Sequence, residues 1–225
     1  MAAHPHYGRT DVAAPAILPV RALVSPSYLY AKRVLDIIGG AAGLVLLLPV
    51  LLLTALAIRL ESRGPIFYFQ KRLGENGVPF RMLKFRSMVV DAEQARCELQ
   101  DQNEASGPVF KIRQDPRMTW VGRLIRKASI DELPQLWHVL TGQMTLVGPR
   151  PPIPEEVAHY QPWQRERLAA RPGLTCIWQI SGRSDIPFEN WVELDIEYVR
   201  TRSFWLDLKL LLLTVPAVLT GRGAY

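Results

Sequence analysis

Ser129-Ile130-Asp131-Glu132 sets two adjacent carboxylates at the head of an apolar stretch, with basic residues close on both sides. Arg123, Arg126 and Lys127 come just before the pair, and Arg113, Asp115 and Arg117 a little earlier. Gly148-Pro149-Arg150-Pro151-Pro152 follows, then Arg171-Pro172-Gly173 and Ser181-Gly182-Arg183. Arginine meets phosphate oxygens with paired donors. An arginine held by proline or glycine backbone suits an anion better than one on a loose surface loop. Arg150, Arg171 and Arg183 are therefore candidate phosphate ligands.

A carboxylate among phosphate ligands needs a reason, because like charges repel. It can attack phosphorus as a nucleophile and form an acyl phosphate. It can also hold Mg²⁺, which bridges the two anions. Asp131 and Glu132 could take one job each, and a helix start would favour the ionised form of Asp131. The plainer reading is a capping box, in which Ser129 caps the helix and Glu132 reaches back to it. Both readings fit the same four residues. No Walker-type glycine loop, dinucleotide fingerprint, serine elbow or kinase set is present.

The elements that must carry these residues are legible in outline. Ile66 to Phe69 and Phe80 to Phe85 read as strands, and Asn76-Gly77 between them signals a hairpin. Met88 to Gln102, Val121 to Lys127, Ile130 to Leu140 and Phe188 to Thr201 read as helices, and Leu174 to Ile180 as a strand. The expected fold class is mixed α/β, rich in helix with a small β-hairpin sheet. Residues 62–203 form the expected catalytic domain, after a flexible tail at 1–26 and an apolar segment at 27–61. His4 and His6 in the tail are read as solvated.

From Ile37 to Ile58 the chain runs 22 residues without a charge, enough to span ~30 Å of hydrocarbon at ~1.5 Å per residue. Lys32 and Arg33 precede the run and Arg59 and Arg63 follow it, so the charges favour neither orientation. Pro49 lies inside the run and predicts a kink. The residues alone fit a spanning helix and a re-entrant one equally. Gly39, Gly40 and Gly43 would let another element pack closely. A cleaved signal peptide fits less well, because the run is long and starts late. The apolar segment of 204–225 reads as an interfacial helix, with a core helix as the alternative.

The net charge of +6 at pH 7 suits nucleic acid, anionic lipid or phosphorylated substrates. Nucleic acid is the poorest fit, because the basic residues are interleaved with acids and prolines and do not line one helix face. Cys97 and Cys176 have neither metal-ligand nor disulfide spacing and read as reduced thiols.

These motifs, in this order, resemble the monotopic phosphoglycosyl transferases, also called bacterial sugar transferases. The matching text is Lys32-Arg33-Val34-Leu35-Asp36, Gly64-Pro65-Ile66-Phe67, Lys84-Phe85-Arg86-Ser87-Met88, Ser129 to Gln135, Gly148 to Pro151, Arg171 to Gly173 and Asp207-Leu208-Lys209. The resemblance runs from Tyr28 to about Leu219. It implies transfer of a sugar 1-phosphate from a UDP-sugar to polyprenyl (undecaprenyl) phosphate, with UMP released, as a first membrane step of exopolysaccharide synthesis. It implies that Asp131 attacks the β-phosphorus, that Glu132 with Asp131 serves Mg²⁺, and that Arg126 and Arg86 join the phosphate ligands. It favours a re-entrant helix kinked at Pro49, amphipathic interfacial helices, and a place on the cytoplasmic face of the bacterial inner membrane. Here the kink reads Leu48-Pro49, without the serine that commonly precedes that proline in the family. The chain resembles the minimal catalytic form. The expected partners are UDP-sugar, polyprenyl phosphate, membrane lipid and, optionally, a second copy as a homodimer. A non-catalytic membrane-tethered scaffold for polysaccharide assembly is the alternative.

Overall fold

A computed structural model describes residues 24–182, 186–221 and 223. The expected N-terminal tail lies almost wholly outside these residues. The first helix begins at Pro26, where Ser25 caps it by accepting from Tyr28 N–H at 3.2 Å.

The apolar run forms two helices, α1 (Pro26–Leu46) and α2 (Leu48–Glu61), bent by 57° at Leu47. Pro49 sits in the first turn of α2, where its missing N–H does least harm. Leu47 N–H still reaches the Gly43 carbonyl and Leu51 N–H the Leu47 carbonyl, so the bend leaves few backbone groups unpaired. Among the described residues, no single helix is long and apolar enough to cross a membrane.

Both ends of this bent pair are fixed to one domain. Lys32 Nζ donates to the Val147 carbonyl at 2.8 Å, to Asp207 at 2.8 Å and to the Tyr198 hydroxyl at 3.1 Å. Asp36 accepts from Thr145 Oγ1 and Leu146 N–H, both at 2.8 Å. Arg33 caps the last carbonyls of the helix at Leu136–Thr141, from Val139 and Leu140. At the other end, Glu61 accepts from Val121 N–H at 3.0 Å. The three glycines act as expected: a Cβ on Gly39, Gly40 or Gly43 would meet Leu146, Leu140 or Leu136 at 2.6–3.1 Å. Asp207 is fully enclosed, so Asp207→Ala should strand Lys32 and destabilise the fold by roughly 3 kcal/mol, read as a lower melting temperature in nanodiscs.

The hairpin forms as expected, with β1 (Phe67–Leu73) antiparallel to β2 (Pro79–Phe85) and Tyr68 opposite Lys84. Asn76 takes the left-handed turn conformation at φ 59°. The helix expected from Met88 is shorter, α3 (Ala92–Glu98), because Val89 and Met88 are drawn into contacts with Arg117 and Met118. The basic helix α4 (Trp120–Lys127) is capped by Thr119.

Ile130 to Leu140 is not one α-helix. Residues Ile130–Gln135 form a 3₁₀ turn that leads into α5 (Leu136–Thr141). Pro134 has no N–H to give to Ile130 and its ring crowds that carbonyl, so the tighter turn results. The capping box is absent too: Ser129 adopts φ 56° and its side chain caps nothing. Two short strands, β3 (Thr145–Val147) and β4 (Gly173–Thr175), pair in parallel. The strand expected over Leu174 to Ile180 therefore stops early and turns into α7 (Ile177–Ile180), beyond a short α6 (Pro154–Ala158) earlier in the chain.

The long α8 (Phe188–Thr201) and α9 (Phe204–Thr220) close the fold. Tyr198 and Leu210 join Phe80, Met82, Leu136, Val139 and Met144 in the main core. In α9, Asp207 and Leu210 are buried, while Trp205, Leu212 and Leu219 are exposed.

Candidate functional site

The 3₁₀ turn packs on β2 and brings Asp131 and Glu132 beside Lys84. Period-two alternation puts Lys84 on the face of β2 that also carries Phe80 and Met82, opposite Tyr68, Gln70 and Arg72 of β1. That face, the 3₁₀ turn and the proline-rich loop around Arg150 wall a cavity of about 410 Å³. Lys84 was not singled out from sequence. The available signal was a lysine on the buried face of a strand, which needs an anionic partner.

The two carboxylates have opposite surroundings. Glu132 accepts from Lys84 Nζ at 2.7 Å and from Arg150 at 2.9 Å and 3.4 Å. Asp131 is 6% exposed and lines the cavity, and among the described residues no hydrogen bond reaches its carboxylate. Burial pushes the Glu132 carboxyl up, but Arg150 and Lys84 outweigh it and hold the group well below the usual carboxylate range. Burial pushes Asp131 up, with Lys84 opposing and Glu132 adding to the rise. Burial is the largest influence on Asp131, and its carboxyl lies above the usual aspartate range.

The cations divide in the same way. Arg117 is paired with Asp115 at 2.6 Å, and Lys84 and Arg150 share the single charge of Glu132. Arg126 donates to Ser87 Oγ at 3.0 Å, and Arg72 to Gln70 and the Pro151 carbonyl. Among the described residues neither Arg72 nor Arg126 has a carboxylate within ion-pair distance, and both line the cavity. Burial, with Arg150 nearby, pulls Arg72 down to about 10, so it remains charged at neutral pH. Unneutralised cations facing a cavity mark a place for a polyanion.

Of the other predicted ligands, Arg86 touches the rim but donates to the carbonyls of Ser62 and Arg63 and to Ser62 Oγ, closing the end of α2. Arg171 stands off the cavity wall, 4.0 Å from Glu75. Arg183 lies outside the described residues. Trp178 and Trp191, stacked at 4.6 Å, form an aromatic wall with the Arg150 guanidinium 5.9 Å above Trp178. No sequence signal marked these two, because α7 and α8 bring them together only in the fold.

The described residues hold no cluster of three or more His, Cys, Asp or Glu able to enclose a metal. Mg²⁺ does not need one, since it binds through one or two carboxylates, waters and substrate phosphates. Asp131, with a free carboxylate, and Glu132 beside it fit that role.

The chain is also similar in sequence to known proteins. The bacterial sugar transferase family profile matches residues 27–221. A galactosyl transferase of Streptococcus agalactiae serotype III is 48% identical over 199 residues, covering 88% of this chain and 44% of that protein. The exopolysaccharide production protein ExoY of Rhizobium meliloti is 39% identical, covering 87% of this chain and 88% of its own length. A UDP-glucose:undecaprenyl-phosphate glucose-1-phosphate transferase of Caulobacter vibrioides is 43% identical, covering 86% of this chain and 72% of its own length. This chain thus spans less than half the length of the Streptococcus relative and nearly all of the Rhizobium one. With one family profile running through the bent helix pair, the acid pair and the cavity walls, the chain belongs to the bacterial sugar transferase family.

Proposed function

We propose that this protein transfers a sugar 1-phosphate from a UDP-sugar to polyprenyl (undecaprenyl) phosphate, through a covalent phosphosugar on Asp131. The observation that carries the proposal is an Asp131 carboxylate with no hydrogen-bond partner among the described residues, in a cavity where Arg72 and Arg126 have no carboxylate within ion-pair distance among those residues. In the first step an Asp131 oxygen bonds to the β-phosphorus, the bridging P–O bond breaks, and UMP leaves with that electron pair. In the second, an oxygen of the lipid phosphate attacks the same phosphorus and the Asp131 carboxylate is released. Arg72 and Arg126 hold the diphosphate and stabilise its charge as it develops. Lys84 and Arg150 clamp Glu132 and set the floor of the site. Asp131 and Glu132 are the residues to hold Mg²⁺, which would screen the carboxylate from the diphosphate and favour departure of UMP.

The test is incubation with a UDP-sugar panel in the absence of lipid acceptor. A single-turnover burst of UMP and a hexose-phosphate mass adduct on the peptide containing Asp131 are expected. UMP release that strictly requires lipid phosphate, with no adduct, would indicate direct displacement instead. A scaffold role leaves the unpaired Asp131 without an explanation.

The bent α1–α2 pair is proposed to enter and leave one membrane leaflet, with the cavity on the cytoplasmic side of the bacterial inner membrane. Its two ends bond to the same domain, through Lys32 at one and Glu61 at the other, which argues against opposite sides. The exposed apolar residues Leu46, Leu53, Leu56, Trp120 and Trp205 supply a surface suited to lipid. Single cysteines placed before Ser25 and after Arg63 should be labelled by an impermeant reagent from the same side of inverted vesicles. Labelling from opposite sides would mean a spanning helix.

A further inference from the structure

Arg150 meets Glu132 through its guanidinium, while its peptide group is held by a buried ion pair that the mechanism above leaves unused. Asp195 on α8 is fully enclosed and pairs with Arg167, 4% exposed, in the 3₁₀ segment Pro162–Ala169. Arg167 Nη2 also donates to the Arg150 carbonyl at 3.2 Å, and Nη1 donates to the Tyr160 hydroxyl at 2.8 Å. The pair therefore holds the Arg150 backbone at its carbonyl, through Arg167.

A buried ion pair is a poor source of stability, since well-packed apolar residues often serve as well or better. Arg167 and Asp195 thus need another account, and their shared contact is Arg150. The neighbouring Pro149, Pro151 and Pro152 donate no hydrogen bond, and their carbonyls, which accept from Gly173 N–H, Arg72 and Leu73 N–H, hold the loop on either flank but not at Arg150 itself. Gly173 N–H holds the Pro149 carbonyl at 2.9 Å on one side. At Arg150 itself the tether is Arg167, paired with Asp195.

We propose that Arg167 and Asp195 are positioning residues, which fix the Arg150 backbone so that its guanidinium reaches Glu132 beside the bound diphosphate. The diphosphate part of this rests on the function proposed above; the geometric part does not. Charge alone is not sufficient for the role: Arg167 has to reach the Arg150 carbonyl, the Tyr160 hydroxyl and Asp195 together, and a lysine cannot span all three.

The test uses the full chain in nanodiscs with two readouts. One is turnover of a UDP-sugar with undecaprenyl phosphate. The other is the ¹⁵N–H resonance of the Arg150 guanidinium, assigned by its loss in Arg150→Lys. Asp195→Asn and Arg167→Lys should each lower kcat roughly 10- to 100-fold and shift or broaden the Arg150 resonance. Tyr160→Phe removes one hydroxyl and should give a smaller change in both. If the two stronger variants do not fold, Tyr160→Phe decides by the same readouts. An unchanged Arg150 resonance overturns the proposal, and so does unchanged turnover in a folded variant whose parent is active. A parent inactive toward every UDP-sugar refutes the function proposed above, and the resonance then decides positioning by itself.

Discussion

Replacing Asp131 by Asn should abolish transfer and raise the melting temperature in the same protein. An amide cannot attack phosphorus, so turnover should fall by roughly 10³-fold or more. The stability change follows from burial. Asp131 is 6% exposed without a hydrogen bond among the described residues, and burial pushes its carboxyl up despite Lys84. A group whose pKa is higher in the folded state contributes stability below its unfolded pKa and loses it as pH rises through the folded value. At neutral pH the ionised carboxylate therefore opposes folding, and the neutral amide relieves that by on the order of 1 kcal/mol. The gain in melting temperature should shrink as pH falls through the raised folded value and be gone below the ordinary aspartate range. Thermal melts across pH, run beside a UMP-release assay, check both halves. Retained turnover would remove Asp131 from the mechanism. Lost turnover with a lower melting temperature would make the effect one of folding.

The parts of this site that the sequence makes legible depend on local chemistry. Asn76-Gly77 between two β-prone runs can do little except turn, and it does. Gly39, Gly40 and Gly43 on an apolar helix leave room for a neighbour, and α5 and Leu146 fill it. The acid pair is visible because carboxylates beside constrained arginines demand a reason. Ser129 misleads because its capping signature is counted before Pro134, whose effect on the turn is larger. β3 and β4 are hidden for another reason: three residues each, paired in parallel across a long crossover, carry no periodic signal. Whether an arginine binds substrate or backbone is a tertiary matter. Arg86 and Arg126 flank similar motifs, yet one closes α2 and the other faces the cavity without a carboxylate.

Glu132→Gln should likewise stop transfer, but with the opposite effect on stability. Glu132 is the shared partner of Lys84 and Arg150, whose side chains are 14% and 30% exposed. The amide of glutamine can accept one hydrogen bond from either cation but neutralises neither, so two positive charges are left beside the still-charged Arg72. Breaking a fully buried pair costs about 3–5 kcal/mol; with Arg150 partly solvated, roughly 2 kcal/mol is expected here. The sign with pH also reverses. Arg150 and Lys84 hold the Glu132 carboxyl well below its usual range against the pull of burial. Its contribution is therefore present above the ordinary glutamate pKa and is lost as pH falls through the lower folded value. The stability gap between parent and variant should be widest at neutral pH and close only under strong acid. Turnover should fall about 10²-fold or more, because Arg150 and Lys84 lose the anchor that fixes them around Asp131. Denaturant unfolding at several pH values, beside the transfer assay, measures both. A Glu132→Gln protein as stable as its parent would show that the clamp is not a structural unit. On the proposed mechanism, the contrast between the two substitutions also separates the neighbouring acids: Asp131 attacks phosphorus, and Glu132 holds Lys84 and Arg150 in place.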